Sequence, residues 1–280
     1  MQTKVIKEKI KSVGSIKKIT KTMEMVSAAK MKKSIYEAHA IRPFQEESTI
    51  ILSDIVSNKQ IKHPLLEKNS GVRELYIVVS SHKGLCGGYN SNIYRKLMLE
   101  KHGKNPSDID IVAIGKHSEK IAKKIKSKVV LSFQHPVFST KEARSLAKFI
   151  INEYKEKHYV RIVILYTHLV TASTFTPMIA PLLPYTIERA VMRKDSAFEY
   201  EPGEEEVLGA VIPMMIQNII TSAVLESYAS EHSSRMFAMK SATDNASELQ
   251  DELKLYFNRA RQGSVTQEIA EITSGAMALA

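Results

Sequence analysis

Apolar and small residues recur in steps of three and four over two stretches of this chain, one towards each end. In the C-terminal stretch they are Leu225, Ala229, His232, Met236, Met239, Thr243, Ala246, Leu249, Leu253, Tyr256 and Ala260. That spacing is the seam of a helix lying along another helix. Gly209 and Pro213 fall near its start and Gly263 near its far end, so the pattern predicts one helix from about Glu204 to about Ser274. At roughly 70 residues it would be about 105 Å long. Near the N-terminus Ile6, Ile10, Val13, Ile16, Ile19, Met23 and Val26 repeat at the same spacing. They predict a helix from Thr3 to about Ile41, ended by Pro43. It would span roughly 39 residues and about 58 Å.

Between these stretches the period changes. Glu74 to Ser81 is a short β-rich run, followed by a glycine turn and a helical segment around Ser91 to Lys101. Ile109 to Ile114 reads as a second strand, His117 to Lys126 as a helix, and Val129 to Phe133 as a third strand. A helix from Lys141 to about His158 and a fourth strand, Arg161 to Tyr166, follow. Strands alternating with helices predict a mostly parallel, helix-covered sheet. Phe175 to Leu183 is expected to pair back as an antiparallel edge strand. Asn58 to Gly71 and Met192 to Gly203 have the composition of loops.

The expected fold is therefore α/β. A long antiparallel coiled coil joins an N-terminal helix (1–42) to a C-terminal one (204–280), around a Rossmann-like domain (44–203). With both helices rooted in that domain, the C-terminal one outruns its partner. Its tip then presents Val265, Ile269, Ile272 and Met277 with nothing in this chain to cover them, which reads either as a frayed C-terminus or as a stripe covered by a sleeve of other chains. Ser274, Gly275, Ala276, Ala278 and Ala280 would leave few projections to catch on such a sleeve.

Charge supports the pairing. Residues 1–42 carry 11 basic and 3 acidic side chains, net +8, and residues 221–280 carry 5 and 8, net −3. Most of the chain's formal charge of +10 thus sits on the first helix. Tyr36 is its one aromatic residue, so it lacks the stacking groups of a nucleic-acid site. A solvated face complementary to an acidic helix accounts for it, and no nucleic-acid partner is expected. No apolar run is expected to span a membrane, and the N-terminus does not read as a signal peptide. The single cysteine, Cys86, excludes an intramolecular disulfide and fits a reducing compartment.

Candidate chemistry is sparse. The turn Gly84-Leu85-Cys86-Gly87-Gly88 follows the first strand, where nucleotide cradles lie. Its spacing matches neither the dinucleotide fingerprint nor the P-loop, and glycines for a tight turn suffice. The histidines show no metal-ligand spacing and no neighbouring carboxylate pair, so no metal or cofactor is expected. Glu204, Glu205 and Glu206 begin a helix, where acids offset its dipole. The residues argue for a rod-shaped interaction protein, not an enzyme.

The segment Ile19-Thr20-Lys21-Thr22-Met23-Glu24-Met25-Val26-Ser27-Ala28-Ala29-Lys30-Met31 resembles the N-terminal signature of the gamma subunit of the F-type ATP synthase. So do Ser233 to Leu249 and the tail from Asn258 to Ala276, with Arg261-Gln262 and Thr266-Gln267-Glu268-Ile269. The loop Gly84 to Asn92 is similar to the same family's central domain. The resemblance implies a shaft inside a hexamer of alpha and beta subunits, with the Rossmann-like domain at its foot beside the epsilon subunit and the membrane ring of c subunits. A gamma chain of this kind hydrolyses nothing itself.

By the same resemblance Met23, Arg235, Gln262, Thr266 and Glu268 engage the hexamer, and His82, Lys83, Gly84, Leu85 and Cys86 face the ring. For Lys17, Lys18, Lys21 and Lys30, ordinary solvation and contact with acidic loops of the beta subunit are both open. The family more often carries an acidic or polar residue and Arg in place of His82-Lys83, and Ala in place of Gly263. The implied setting is peripheral, on the cytoplasmic side of a bacterial membrane.

Overall fold

The computed structural model describes residues 2–58, 63–135, 137–171, 173–186 and 199–279. In chain order the elements are α1 (Gln2–Asn58), β1 (Glu74–Val79), α2 (Tyr89–Glu100), β2 (Ile109–Ile114), α3 (Lys116–Ile125), β3 (Lys128–Phe133), α4 (Thr140–Lys155), β4 (Arg161–Leu169), β5 (Phe175–Leu183) and α5 (Glu204–Leu279). The chain divides into two compact units. One comprises Met1–Ala28 with Arg235–Ala280, the other Ala29–Ser234. Each long helix contributes to both.

The larger unit is built on a five-stranded sheet in the order β3-β2-β1-β4-β5. β1 runs parallel to β2 and β4, β2 parallel to β3, and β5 antiparallel to β4, as the alternation of apolar runs and helical segments predicts. All six residues of β2 are buried, the mark of a central parallel strand covered on both faces. β5 carries Pro177 and Pro181, which a sheet tolerates at its edge because no outer neighbour needs their missing N–H.

Alternate side chains of β1 enter two cores. Tyr76 and Val78 pack with Tyr89, Ile93 and Leu97 of α2 and Ile121 and Ile125 of α3. Leu75, Ile77 and Val79 share the other core with Leu146, Ile150 and Tyr154 of α4, Leu52 and Ile55 of α1, and Leu208, Ile212, Ile216 and Ile220 of α5. Ser139 caps α4, accepting from the Glu142 N–H at 3.3 Å while Glu142 accepts from the Ser139 N–H at 2.6 Å.

Two sequence expectations are corrected here. Pro43 does not end the first helix, which continues to Asn58 with Pro43 exposed inside it. A proline inside a helix costs about 3 kcal/mol. Full burial of Leu52 and Ile55 further along the helix returns roughly 1.5–3 kcal/mol each, enough to carry the helix through. Residues 207–225 also form an uncharged run long and apolar enough to cross a membrane. Its Leu208, Ile212, Met215, Ile216 and Ile220 are in the core, which accounts for the apolar density. Of the two expected loops, 59–62 and 192–198 lie outside the described residues; Leu66 N–H returns to the His63 carbonyl at 2.9 Å.

In the smaller unit the two helices are antiparallel. Thr243 on α5 donates to Thr20 on α1 at 2.8 Å, and Gly14, further towards the N-terminus, lies against Gln250, further towards the C-terminus. The seam matches the expected one at Ile6, Met239, Thr243 and Ala246 and departs from it at Thr20 and Ser27, which take the places expected of Ile19 and Val26. Ile6, Thr20 and Ser27 of α1 and Met239, Thr243 and Ala246 of α5 are buried. Ile16, Ile19 and Val26 are about half exposed, as are Leu249 and Tyr256. Beside Ile6 and Met239, small and hydroxyl side chains fill the seam, while Ile16, Ile19 and Val26 turn outward.

Candidate functional site

The C-terminal ends of β1, β2 and β3 meet in one hydrogen-bonded block. Ser118, in the first turn of α3, has its Oγ within 2.7–2.8 Å of the carbonyls of Val78 and Ile114, which share its one proton, and of the Ser80 hydroxyl. Gly115 has φ +89°, and a Cβ there would sit 2.3 Å from the Ser80 carbonyl oxygen. Only glycine fits that approach. Asn90 clamps the next loop, donating to Ser81 Oγ at 2.7 Å and accepting from the Ser81 N–H at 3.2 Å.

On this block stands the loop 82–88. His82 is half-buried, Lys83 and Gly84 are exposed, and Leu85 is 66% exposed at φ +59°. Cys86 turns inward, its Sγ 3.7 Å from Ser81 Oγ. Sequence reasoning missed the neighbours that complete this surface: Lys116 and His117 at the start of α3 and His135 after β3. They come from turns some 30 and 50 residues on, and only the strand order brings them together.

In this strand order the ligand crevice of a doubly wound sheet opens between β1 and β4. Here α5 fills it. Ser227 Oγ accepts from the Thr167 N–H at 2.9 Å, Ser230 Oγ donates to the Thr167 carbonyl at 3.0 Å, and Ser234 Oγ donates to the Cys86 carbonyl at 2.6 Å. Tyr89 OH donates to the Ser227 carbonyl at 3.2 Å. Serines at i, i+3 and i+7 of this helix were the available signal. A nucleotide's phosphates would have to displace this helix.

The smaller unit presents a different surface. Val5, Ile16, Ile19 and Val26 share one stripe of α1 and are about half exposed or more. From residue 261 to 277 every residue of α5 is exposed. Within that span Val265, Ile269 and Ile272, at i, i+4 and i+7, form a stripe reaching 72% exposure at Ile272, and Met277 is 76% exposed. Gln262 and Thr266 lie one turn apart on one face, the Thr266 hydroxyl donating to the Gln262 carbonyl at 2.9 Å. Glu268, two residues beyond, projects from a different face. Met23 is half-buried, and Arg235 is 6% exposed, with its side chain engaged inside the fold. Lys4, Lys7, Lys11, Lys17, Lys18 and Lys21 line a basic groove with Gly14, Thr243 and Gln250.

One histidine departs from its sequence reading. His158 does have a carboxylate pair: its Nδ1 lies 3.0 Å from Glu153 and 3.6 Å from Glu156. The three ligand atoms are close enough to hold a cation. The group is solvent-facing, and a hydrogen bond between His158 Nδ1 and the Glu153 carboxylate explains its geometry.

An antiparallel helical pair with outward apolar stripes, in one chain with a parallel sheet whose ligand crevice is occupied by its own helix, defines a stalk-type subunit. The chain belongs to the gamma-subunit family of ATP synthase: the ATP synthase family model matches residues 2–279. Solved structures share the fold. A chain of the Tetrahymena thermophila mitochondrial ATP synthase central stalk and c-ring is 23% identical, with 80% of this chain and 99% of that one covered at a TM-score of 0.61. A chain of the Euglena gracilis mitochondrial ATP synthase rotor is 16% identical, with 94% and 99% covered and a TM-score of 0.67. A chain of the Euglena gracilis OSCP/F1/c-ring assembly is 18% identical, with 99% and 94% covered and the same TM-score.

Proposed function

We propose that this chain is the rotating shaft of a proton-translocating F-type ATP synthase. Its helical pair turns inside a hexamer of alpha and beta subunits and forces each catalytic site through its states. The sheet domain docks on the epsilon subunit and the ring of c subunits, with the 82–86 loop towards the ring. The chain carries no catalytic group of its own. Met23, Gln262, Thr266 and Glu268 contact the hexamer as the shaft turns. Arg235 belongs to the same set by resemblance and acts from a buried position on the helix that carries Gln262, Thr266 and Glu268. The setting is the cytoplasmic face of a bacterial membrane, to which the ring attaches the chain.

The observation that carries this reading is the outward-facing apolar surface of the smaller unit. Ile16, Ile19, Val26, Val265, Ile269 and Ile272 lie on its exterior while Thr20, Ser27 and Thr243 occupy the seam. An ordinary two-helix coil has the reverse arrangement. Surface of that kind needs a sleeve of other chains, and a sleeve of apolar loops would let it turn without strong directional bonds.

Co-expression with alpha and beta subunits tests it. The full chain is expected to co-purify in a complex that hydrolyses ATP, and a solitary monomer with tight nucleotide affinity would refute the reading. Truncation after Gln262 is expected to weaken coupling or assembly. Proton-driven synthesis at the full rate in that variant would remove the role given to the tip.

A further inference from the structure

The end of the sheet is more than a loop surface. Leu85 is a bulky residue in the left-handed region, where a side chain costs about 1–3 kcal/mol. It is nonetheless held outward, 66% exposed. Lys83 precedes it by two residues, and Lys116, His117 and His135 belong to the adjoining turns. The Ser80–Ser118 and Ser81–Asn90 bonds fix these turns to one another beneath. A fixed apolar knob on a surface that also carries Lys83, Lys116 and three histidines fits a protein surface with a pocket and carboxylates around it. A fluid lipid headgroup layer would gain nothing from a fixed knob.

Three of these groups are imidazoles, the side-chain type whose ordinary charge change falls nearest neutral pH. His117 Nδ1 lies 3.0 Å from the Ser81 carbonyl oxygen, which can only accept, so Nδ1 carries the proton and Nε2 is open to a second one. His82 Nδ1 is buried with no hydrogen-bond partner. The groups that bear on His82 are Lys116, Lys83, His135 and His117, all of one sign. Burial first, and then these charges, hold its pKa below the ordinary 6.5. Glu119, the acid of the same helix start, is occupied by Ser132 and Gln134 at 2.5 and 2.6 Å.

We propose that this end of the sheet is a proton-linked docking surface. Carboxylates of the ring close over Lys83, Lys116 and the three histidines with Leu85 as the central anchor, and docking takes up protons. This rests on the ring-facing reading above and adds to it the partner's chemistry and a pH dependence. The sign follows from linkage. A carboxylate brought beside a histidine raises its pKa, so the bound state holds more protons and affinity rises as pH falls from about 8 to about 6. One proton taken up gives at most about tenfold per pH unit.

The test uses the assembled complex and membranes stripped of it, at constant ionic strength. The wild type is expected to bind roughly three- to tenfold more tightly at about pH 6 than at about pH 8. His82→Gln/His135→Gln is expected to flatten the slope, and Lys83→Gln/Lys116→Gln to weaken binding at both values while keeping it. His135→Gln alone, at an exposed position, is expected to reduce the slope even if the His82 variant fails to fold. Binding with no pH slope, or a slope unchanged in the histidine variants, overturns the proposal while leaving ring docking intact. Failure to bind stripped membranes at any pH overturns the ring-facing reading itself. Equal binding to protein-free vesicles of anionic phospholipid would make the partner a lipid and overturn the proposal.

Discussion

Gly115 and Gly14 show how differently one residue type is constrained. At Gly115 the added Cβ meets a backbone carbonyl at 2.3 Å in a conformation L side chains rarely adopt. Gly115→Ala is expected to destabilise the sheet unit by about 3 kcal/mol or more, read as a lowered urea midpoint. At Gly14 the nearest atom is the far end of Gln250, 3.0 Å away and free to swing. Gly14→Ala is expected to be neutral or to stabilise by up to about 1 kcal/mol through helix propensity. Glu74 supplies a pH dependence. Burial alone would raise its pKa, but hydrogen bonds from Lys104 and Tyr76 and the charges of Lys104 and Arg161 hold it below the ordinary 4.5. A depressed carboxyl contributes stability that is fully present above about pH 4.5 and is lost as pH falls through the folded-state value. The stability gap between wild type and Glu74→Gln is therefore expected to shrink from about pH 7 to about pH 3, and a constant gap would show that its ionisation is not involved. None of these constraints was legible in the chain itself. A glycine run marks a turn, but which glycine meets a carbonyl depends on a strand 35 residues away.

At the scale of elements, the sheet was readable because its signals are local. Ile109–Ile114 and Phe175–Leu183 are found where the apolar runs predict them, and α4 begins at the Ser139–Glu142 capping box. The helical seam was readable on α5, where Met239, Thr243 and Ala246 are buried as expected, and only partly on α1, where Thr20 and Ser27 are buried in place of Ile19 and Val26. Its centre is a hydroxyl pair, Thr20 and Thr243, 2.8 Å apart, and such a buried polar contact fixes register. Thr243→Val is expected to cost about 1 kcal/mol by removing the donor to the Thr20 hydroxyl, which keeps only its bond to the Lys17 carbonyl, and Thr20→Val/Thr243→Val to recover most of it. Equal costs for the single and double variants would show that the pair carries no coupling. The continuation of α1 past Pro43 was hidden for another reason. It depends on Leu52 and Ile55 reaching a core assembled from α4, α5 and the sheet.

For the whole molecule, the account separates what holds the chain together from what it presents to others. Ile16, Ile19 and Ile272 are outside the seam, so Ile16→Ser, Ile19→Ser and Ile272→Ser are each expected to shift the stability of the isolated chain by less than about 0.5 kcal/mol. The triple variant is expected to lose co-assembly with alpha and beta subunits in pull-down. Unimpaired assembly would mean that the exposed stripes are ordinary surface. The most direct measurement of the central claim is rotation itself. Cys86 is buried, so Ser107→Cys offers a single exposed thiol on the sheet unit for attaching a bead to the complex assembled with alpha and beta subunits. The account predicts that the bead turns in one direction, in steps, while ATP is hydrolysed. A bead that stays fixed while the complex hydrolyses ATP at its full rate would contradict it.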